Sequence, residues 1–252
     1  MVSRWRLPPT PISHPSPKAV VFDLDDTLLD HRRAERSALA DLHREHPDTL
    51  GRHALAHVQA TYHAHNVPLW RDFGKSVITS EQLKRLRFEH TLTALDAHQL
   101  DAATFGRRYL DLYADHWTWT DGAEAAFHAV ADQIPVAILT NGFSEQQRAK
   151  LATMPALAER SEAVWIAEEV GAWKPHREVF ALATTDLSES LGLELAPSDV
   201  LYIGDSYHSD VVGGTDFGWQ VAWFRGDADL QPNGAWAFSD WADLLLKLEL
   251  AT

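Results

Sequence analysis

Cysteine is absent from all 252 residues, which removes disulfide frameworks, thiol nucleophiles and zinc–thiolate sites together. Positive charge is scarce: 22 Lys and Arg stand against 36 Asp and Glu, a formal net charge of −14. A surface of that sign repels DNA, RNA and anionic membranes, so a nucleic-acid polymer is not an expected partner. No apolar run approaches the roughly 20 residues needed to span a bilayer, so no membrane association is expected. The opening MVSRWRLPPTPISHPSP follows its basic residues with prolines instead of an apolar segment, unlike a secretory signal. The expectation is a cytoplasmic protein. What is present, 45% hydrophobic and 23% charged residues, is an ordinary globular mixture. The length suits one large domain or two unequal ones.

Residues 1–17, with five prolines and almost no apolar periodicity, read as a flexible extension. Ala19-Val20-Val21-Phe22 is short, apolar and β-branched and stops at a cluster of aspartates, the pattern of a buried central strand. From 31 to 117 the texture changes to Ala, Leu, Glu, Arg and His. Helices are expected at 32–46, 51–65, 80–96 and 101–116, with Pro47, Gly51 and Pro68 as punctuation and Asp101 as a cap. After Trp119, strands at 136–139, 164–167, 200–203 and 220–224 alternate with helices at 121–132, from 144, at 175–190 and at 208–217. An amphipathic stretch at 239–250 closes the chain. The fold class is therefore α/β: a parallel sheet covered on both faces, formed by 18–30 and 118–252, with an all-helical cap, 31–117, inserted after the first strand.

In such a sheet, ligands bind at the carboxyl ends of the strands. Four of these ends carry polar clusters: Asp23-Leu24-Asp25-Asp26-Thr27, Thr140-Asn141-Gly142, Lys174-Pro175, and Gly204-Asp205-Ser206 with Asp210. Asp23 and Asp25 are two apart on an extended segment and so leave it on one side. Like carboxylates are costly without a cation, and Asp205 and Asp210 add two more, which argues for a hard divalent ion with oxygen ligands, most simply Mg²⁺. Asp26 alone reads as a helix cap.

Carboxylates, Mg²⁺, a lysine and small hydrogen-bonding residues suit phosphoryl transfer. A carboxylate approaching an anionic phosphate at ~4 Å is repelled by ~4 kcal/mol per unit-charge pair at an effective dielectric of ~20. One Mg²⁺ and one Lys⁺ reverse that sign. Asp23 is the candidate nucleophile and Asp25 the candidate general acid and base. Thr140 and Asn141, near a helix start, are candidates to hold phosphate oxygens.

In these motifs the chain resembles the haloacid dehalogenase superfamily of phosphohydrolases. Asp23-Leu24-Asp25-Asp26-Thr27, Leu139-Thr140-Asn141, Lys174-Pro175 and Gly204-Asp205 followed by Asp210 occur in the family's order, and the likeness extends over roughly residues 18–250. It implies a Rossmann-like core with a helical cap and an aspartyl-phosphate on Asp23. It also implies Mg²⁺ held by Asp23, the backbone carbonyl of Asp25 and Asp205, with Asp210 nearby. Thr140 and Lys174 would bind the phosphoryl group, and Lys174 would also orient Asp23. An aspartate at position 25 argues for phosphate esters over haloacids. The cap is similar to that of bacterial house-cleaning pyrimidine 5′-nucleotidases in Asn66-Val67-Pro68-Leu69-Trp70, in Ile78-Thr79-Ser80-Glu81-Gln82-Leu83 and in Arg87-Phe88. The implied function is Mg²⁺-dependent hydrolysis of a small phosphorylated metabolite such as a nucleoside 5′-monophosphate. A sugar-phosphate phosphatase or a phosphomutase shares every core motif. A phospho-accepting receiver domain fits poorly, being about half this length and without an inserted cap.

The remaining polar and aromatic features read as structure. His53 with His57, and His63 with His65, lack a third ligand of definite geometry and read as ordinary cap histidines. Trp70 stands between core packing and stacking on a substrate base, and Trp173 shares that ambiguity. Arg85 and Arg87 could reach a substrate, though helix charges of this kind read first as solvating.

Overall fold

The computed structural model describes residues 16–227, 230 and 234–250. The extension expected at 1–17 lies outside the described residues except for its last two. Six strands form one parallel sheet in the order β3-β2-β1-β4-β5-β6. They are β1 (Ala19–Phe22), β2 (Val136–Thr140), β3 (Ser161–Ile166), β4 (Val200–Gly204), β5 (Gln220–Phe224) and β6 (Ala235–Phe238). β1 is central, with Val21 opposite Ala137 on one side and Tyr202 on the other. Successive connections leave β1 in opposite directions, so a crevice opens at its carboxyl end.

Strand alternation explains the two-sided burial. Val20 and Phe22 face a core shared with α5 (Ala123–Ala131) and α11 (Trp241–Lys247), including Phe127 and Leu244. Ala19 and Val21 face the other core, with Val179 and Phe180 of α9 (Arg177–Leu191) and with Trp219. Phe22 meets Phe127 edge-on at 5.5 Å. Between β2 and β3 lie α6 (Ser144–Thr153) and α7 (Pro155–Glu159), and α8 (Ala167–Val170) follows β3.

Between β1 and α5, four helices pack around a separate core that includes Leu39, Tyr62, Phe88 and Tyr109: α1 (His31–Glu45), α2 (Leu55–Gly74), α3 (Ser80–Ala94) and α4 (Ala102–Asp115). Asp30 caps α1 by accepting from the Arg33 N–H, and Asp101 caps α4 through the Thr104 N–H. Thr79 and Gln82 form a capping box on α3. Phe143, at the start of α6, inserts among Leu69, Leu83 and Trp70 and so ties the cap to the sheet domain.

Several elements differ from the sequence expectation, β3 among them, which runs over Ser161–Ile166 instead of 164–167. α2 runs through Pro68 to Gly74, because its buried face on Val58, Tyr62, Asn66 and Leu69 outweighs one lost backbone bond. Its start is preceded by a 3-10 turn at Leu50–Arg52. The helix expected at 208–217 is a π-helical turn, Tyr207–Val212, running into α10 (Gly213–Phe217). β6, a four-residue edge strand, was not anticipated. Asp26, at φ 62°, accepts from the Arg32 N–H in the first turn of α1 and so helps cap it, while the N-cap position itself is Asp30.

Candidate active site

Each polar cluster arrives from a different strand end. Asp23 directly follows β1 and is anchored by its own N–H donating to the Ile203 carbonyl of β4, at 2.8 Å. Thr140 ends β2, Lys174 follows β3 and α8, and Asp205 follows β4. The π-helical turn then brings Asp210 back over β4, where its carboxylate accepts from the Ser206 N–H at 2.9 Å. Gly204 is required by this return: a Cβ there would lie 2.4 Å from the Asp210 Oδ2.

Lys174 is the hub. Its Nζ donates to Asp23 Oδ1 and to the Tyr202 hydroxyl, both at 2.6 Å, and lies 2.8 Å from Asp210 Oδ1. The Tyr202 hydroxyl in turn donates to the Leu139 carbonyl at 2.9 Å. Burial alone pulls the Lys174 ammonium down, but Asp210 and Asp23 more than offset it, and the net shift is upward. The charge is thus retained in the interior by two carboxylates. Thr27 donates to the other oxygen of Asp23 at 3.2 Å.

Asp23, Asp205 and Asp210 each present a carboxylate oxygen within 4.8 Å of the others. One buried lysine does not balance three such groups. Burial pushes the Asp23 carboxyl up to about 7, with Lys174 opposing and Asp210 and Asp25 reinforcing. Burial and the neighbouring charges of Asp210 and Asp23 push Asp205 up to about 8. A hard divalent cation would relieve this excess of carboxylates, and the all-oxygen donor set fits Mg²⁺. Among the described residues, this is the one cluster of acidic and histidine side chains with metal-holding geometry. His53 is occupied elsewhere, its Nε2 lying 2.9 Å from the Leu95 carbonyl oxygen.

Asp25 faces a different set of partners. Its Oδ1 accepts from Lys150 Nζ at 2.6 Å and its Oδ2 from Gln147 Nε2 at 2.9 Å. Burial alone would raise this carboxyl, but Lys150, His31 and the two hydrogen bonds outweigh it, and the net shift is downward. Asp23 and Asp25 therefore leave one short segment for two separate environments. Gln147 also donates to Thr140 Oγ1 at 2.9 Å, joining the second motif to Asp25. Gly142 leaves room for that amide, since a Cβ would lie 2.5 Å from Gln147 Nε2.

Asn141 carries out a task not foreseen for its side chain. Its Nδ2 donates to the Lys174 carbonyl and its Oδ1 accepts from the Lys174 N–H, both at 2.9 Å. The side chain thus clamps the lysine backbone. Sequence reasoning missed Lys150, Gln147 and Tyr202. Lys150 and Gln147 sit three apart on α6, immediately beyond the Thr140 motif, a helix spacing that gave a weak signal.

A cleft of about 430 Å³ opens from Asp25, Asn141 and Asp205 into the cap, reaching Asn66, Trp70 and Arg87. The size fits a small-molecule site.

The model for the haloacid dehalogenase-like hydrolases matches residues 17–218. The chain belongs to this family. It is 31% identical to the pyrimidine 5′-nucleotidase YjjG of Escherichia coli over 69% of this chain and 73% of that protein. It is 27% identical to the pyrimidine 5′-nucleotidase PynA of Streptococcus pneumoniae over 82% and 84% of the two chains. The crystal structure of the HAD-hydrolase YfnB of Bacillus subtilis bound to magnesium superposes with a TM-score of 0.80 at 25% identity, covering 94% of this chain and 100% of that one. This member is thus an enzyme of the hydrolase class, with the parallel sheet and helical cap expected from its motifs. Among the described residues, no helix is long and apolar enough to cross a membrane.

Proposed function

We propose that this hydrolase is a Mg²⁺-dependent phosphomonoesterase that works through an aspartyl-phosphate on Asp23 and acts on a nucleoside 5′-monophosphate. The observation that carries the reading is the convergence of Asp23, Asp205, Asp210 and Lys174 at one strand-end crevice. Asp23, the Asp25 backbone carbonyl and Asp205 would hold the Mg²⁺, with Asp210 in contact or one shell out. When bound, Mg²⁺ supplies positive charge that keeps the carboxylates ionised and offsets the phosphate's anionic oxygens.

The chain's own residues divide the remaining work. Asp23 attacks phosphorus in line with the ester oxygen, and Asp25, a carboxylate at rest that takes up one proton as the anionic phosphate docks beside it, gives that proton to the oxygen as it departs. Lys174, the Thr140 hydroxyl and the Asn141 N–H bind the phosphoryl oxygens. Asp25, now deprotonated, takes a proton from the water that attacks the phosphoryl group. Phosphate is released and Asp23 is regenerated. The nucleotide preference draws on the two nucleotidase relatives and on the aromatic wall of the cleft, where Trp70 lies 5.0 Å from Phe143.

The test is a screen of nucleoside monophosphates, sugar phosphates and p-nitrophenyl phosphate with Mg²⁺ and with chelator. Mg²⁺-dependent release of phosphate, fastest from nucleotides and abolished in Asp23→Asn, is the expected result. Preference for sugar phosphates overturns the nucleotide reading, and full activity in chelator overturns the metal requirement.

A further inference from the structure

Arg87 is the anomaly of the cap. It lies on α3 beside the half-buried Leu86 and the buried Phe88, and is itself only 6% exposed. Its companion Arg85 behaves as the sequence suggests, pairing with Glu89 on the surface at 2.6 Å. The Nε–H of Arg87 is buried and finds no acceptor. The guanidinium rests over rings, 4.7 Å from the Phe88 centroid and 5.8 Å from that of Tyr109. These contacts position the planar group but do not satisfy its Nε–H. Glu35, a buried carboxylate on the same wall, faces His31 and His63 at 3.8 Å. A buried guanidinium N–H without an acceptor is costly. The cost is understandable where a ligand supplies that oxygen.

Two other orphaned atoms border the same cleft. Tyr62 is fully buried and its hydroxyl makes no hydrogen bond of good geometry, its nearest polar neighbours being Tyr109 and Arg87. Asn66 is 6% exposed and its Oδ1 accepts none. Tyr62, Asn66 and Trp70 are spaced i, i+4, i+8 on α2, so they form one stripe, and all three line the cleft with Arg87. Burial raises the Tyr62 hydroxyl above its ordinary value, so it keeps its proton and serves as a donor. Native interiors leave few such groups unpaired. Three beside one cavity that continues to Asp25 and Asn141 mark a built subsite.

We infer that Tyr62, Asn66 and Arg87 form a recognition site for a cis-amide (lactam) edge on the leaving group, a ring carbonyl next to a ring N–H. Arg87 can only donate and so demands an acceptor, here the ring carbonyl oxygen. Asn66 Oδ1 accepts from the neighbouring N–H. Tyr62 adds a donor for a further oxygen. Trp70 and Phe143 supply flat apolar surface for the ring. This rests on the proposed nucleotide reading and sharpens it, because the lactam edge cuts across the pyrimidine and purine classes. Uracil and hypoxanthine carry it. Cytosine and adenine present a bare ring nitrogen beside an amino group, which leaves Arg87 facing a donor.

The experiment compares kcat/KM for uridine against cytidine 5′-monophosphate and for inosine against adenosine 5′-monophosphate, with p-nitrophenyl phosphate as a substrate that lacks the edge. The expected result is a preference of at least about tenfold for the lactam member of both pairs, the fold-change of one lost hydrogen bond. Arg87→Met and Asn66→Leu should each bring both ratios toward one, and Arg87→Lys should retain part of the preference. The wild-type ratios need no variant to fold. Equal rates within both pairs overturn the inference even while p-nitrophenyl phosphate is turned over, and so does a preference split by ring size. Failure to hydrolyse p-nitrophenyl phosphate with Mg²⁺ would instead overturn the phosphatase reading beneath it.

Discussion

Lys150 Nζ donates to Asp25 Oδ1 at 2.6 Å, and the lysine side chain is only 3% exposed. The same ammonium lies 5.3 Å from the ring centroid of Tyr113 in the cap. The carboxylate assigned to proton transfer is therefore held by the helix that follows the second motif and touches both domains.

Removing this ammonium has a definite sign. Lys150 lowers the Asp25 carboxyl, so Lys150→Met raises it and protonates Asp25 at a given pH more than in the wild type. Water activation needs Asp25 deprotonated. Where the water step limits turnover, the acid limb of the kcat profile is expected to move to higher pH, with kcat on that limb falling about tenfold for each pH unit of the move. A pH–rate series on both proteins measures it, and an unmoved acid limb would mean that Lys150 does not tune this step.

The raised carboxyls of Asp23, about 7, and Asp205, about 8, make metal-free stability pH-dependent. A carboxyl whose pKa is higher folded than unfolded binds more protons in the native state, so stability falls as pH rises from about 4 to about 8. In chelator, Asp205→Asn should melt higher than wild type at pH 8 but not at pH 4. A relief of about 2 kcal/mol corresponds to roughly 4–8 °C. Stabilisation by added Mg²⁺ should grow over the same interval. Thermal melts at both pH values, with and without Mg²⁺, read all three expectations.

Lys174→Met removes the cation from between Asp23 and Asp210. Breaking a buried pair from one side costs about 3–5 kcal/mol, and less at pH 5, where the carboxyls take up protons. Activity should fall at least about 10²-fold through lost phosphoryl stabilisation. Denaturant melts at the two pH values separate the structural cost from the catalytic one.

Asn141→Ala deletes both hydrogen bonds to the Lys174 backbone. A positioning role predicts a drop in kcat of about tenfold with little change in inhibition by inorganic phosphate, and about 1–3 kcal/mol of lost stability. A phosphate-contacting side chain would instead weaken phosphate inhibition, which steady-state inhibition data distinguish.

Much of this architecture was legible because the strands that carry motifs are buried on both faces and end at polar clusters. Ala19–Phe22 and Val200–Gly204 could hardly be anything else. β6 was not legible: Ala235–Phe238 is four residues long and depends on pairing with β5, which has no local signature. Pro68 misled because a local breaker was overridden by tertiary burial of Leu69 and Asn66. In the site, Asp23, Lys174 and Asp210 were readable from motif chemistry. Lys150 and Gln147 were not, because their role depends on which face of α6 meets the segment after β1. Arg87 was read as solvated for the same reason, since exposure on a helix follows from packing that its neighbours in sequence do not reveal.

The most direct measurement is the site of phosphoryl attachment in Asp25→Asn mixed with Mg²⁺ and p-nitrophenyl phosphate, whose leaving group departs without an acid. Without a base for the water step, the phosphoryl-enzyme should accumulate. Acid quenching and peptide mass spectrometry should place one phosphoryl group on Asp23 and find none in Asp23→Asn. Turnover by the wild type alongside a phosphoryl group on another residue, or undiminished hydrolysis by Asp23→Asn, would contradict the account.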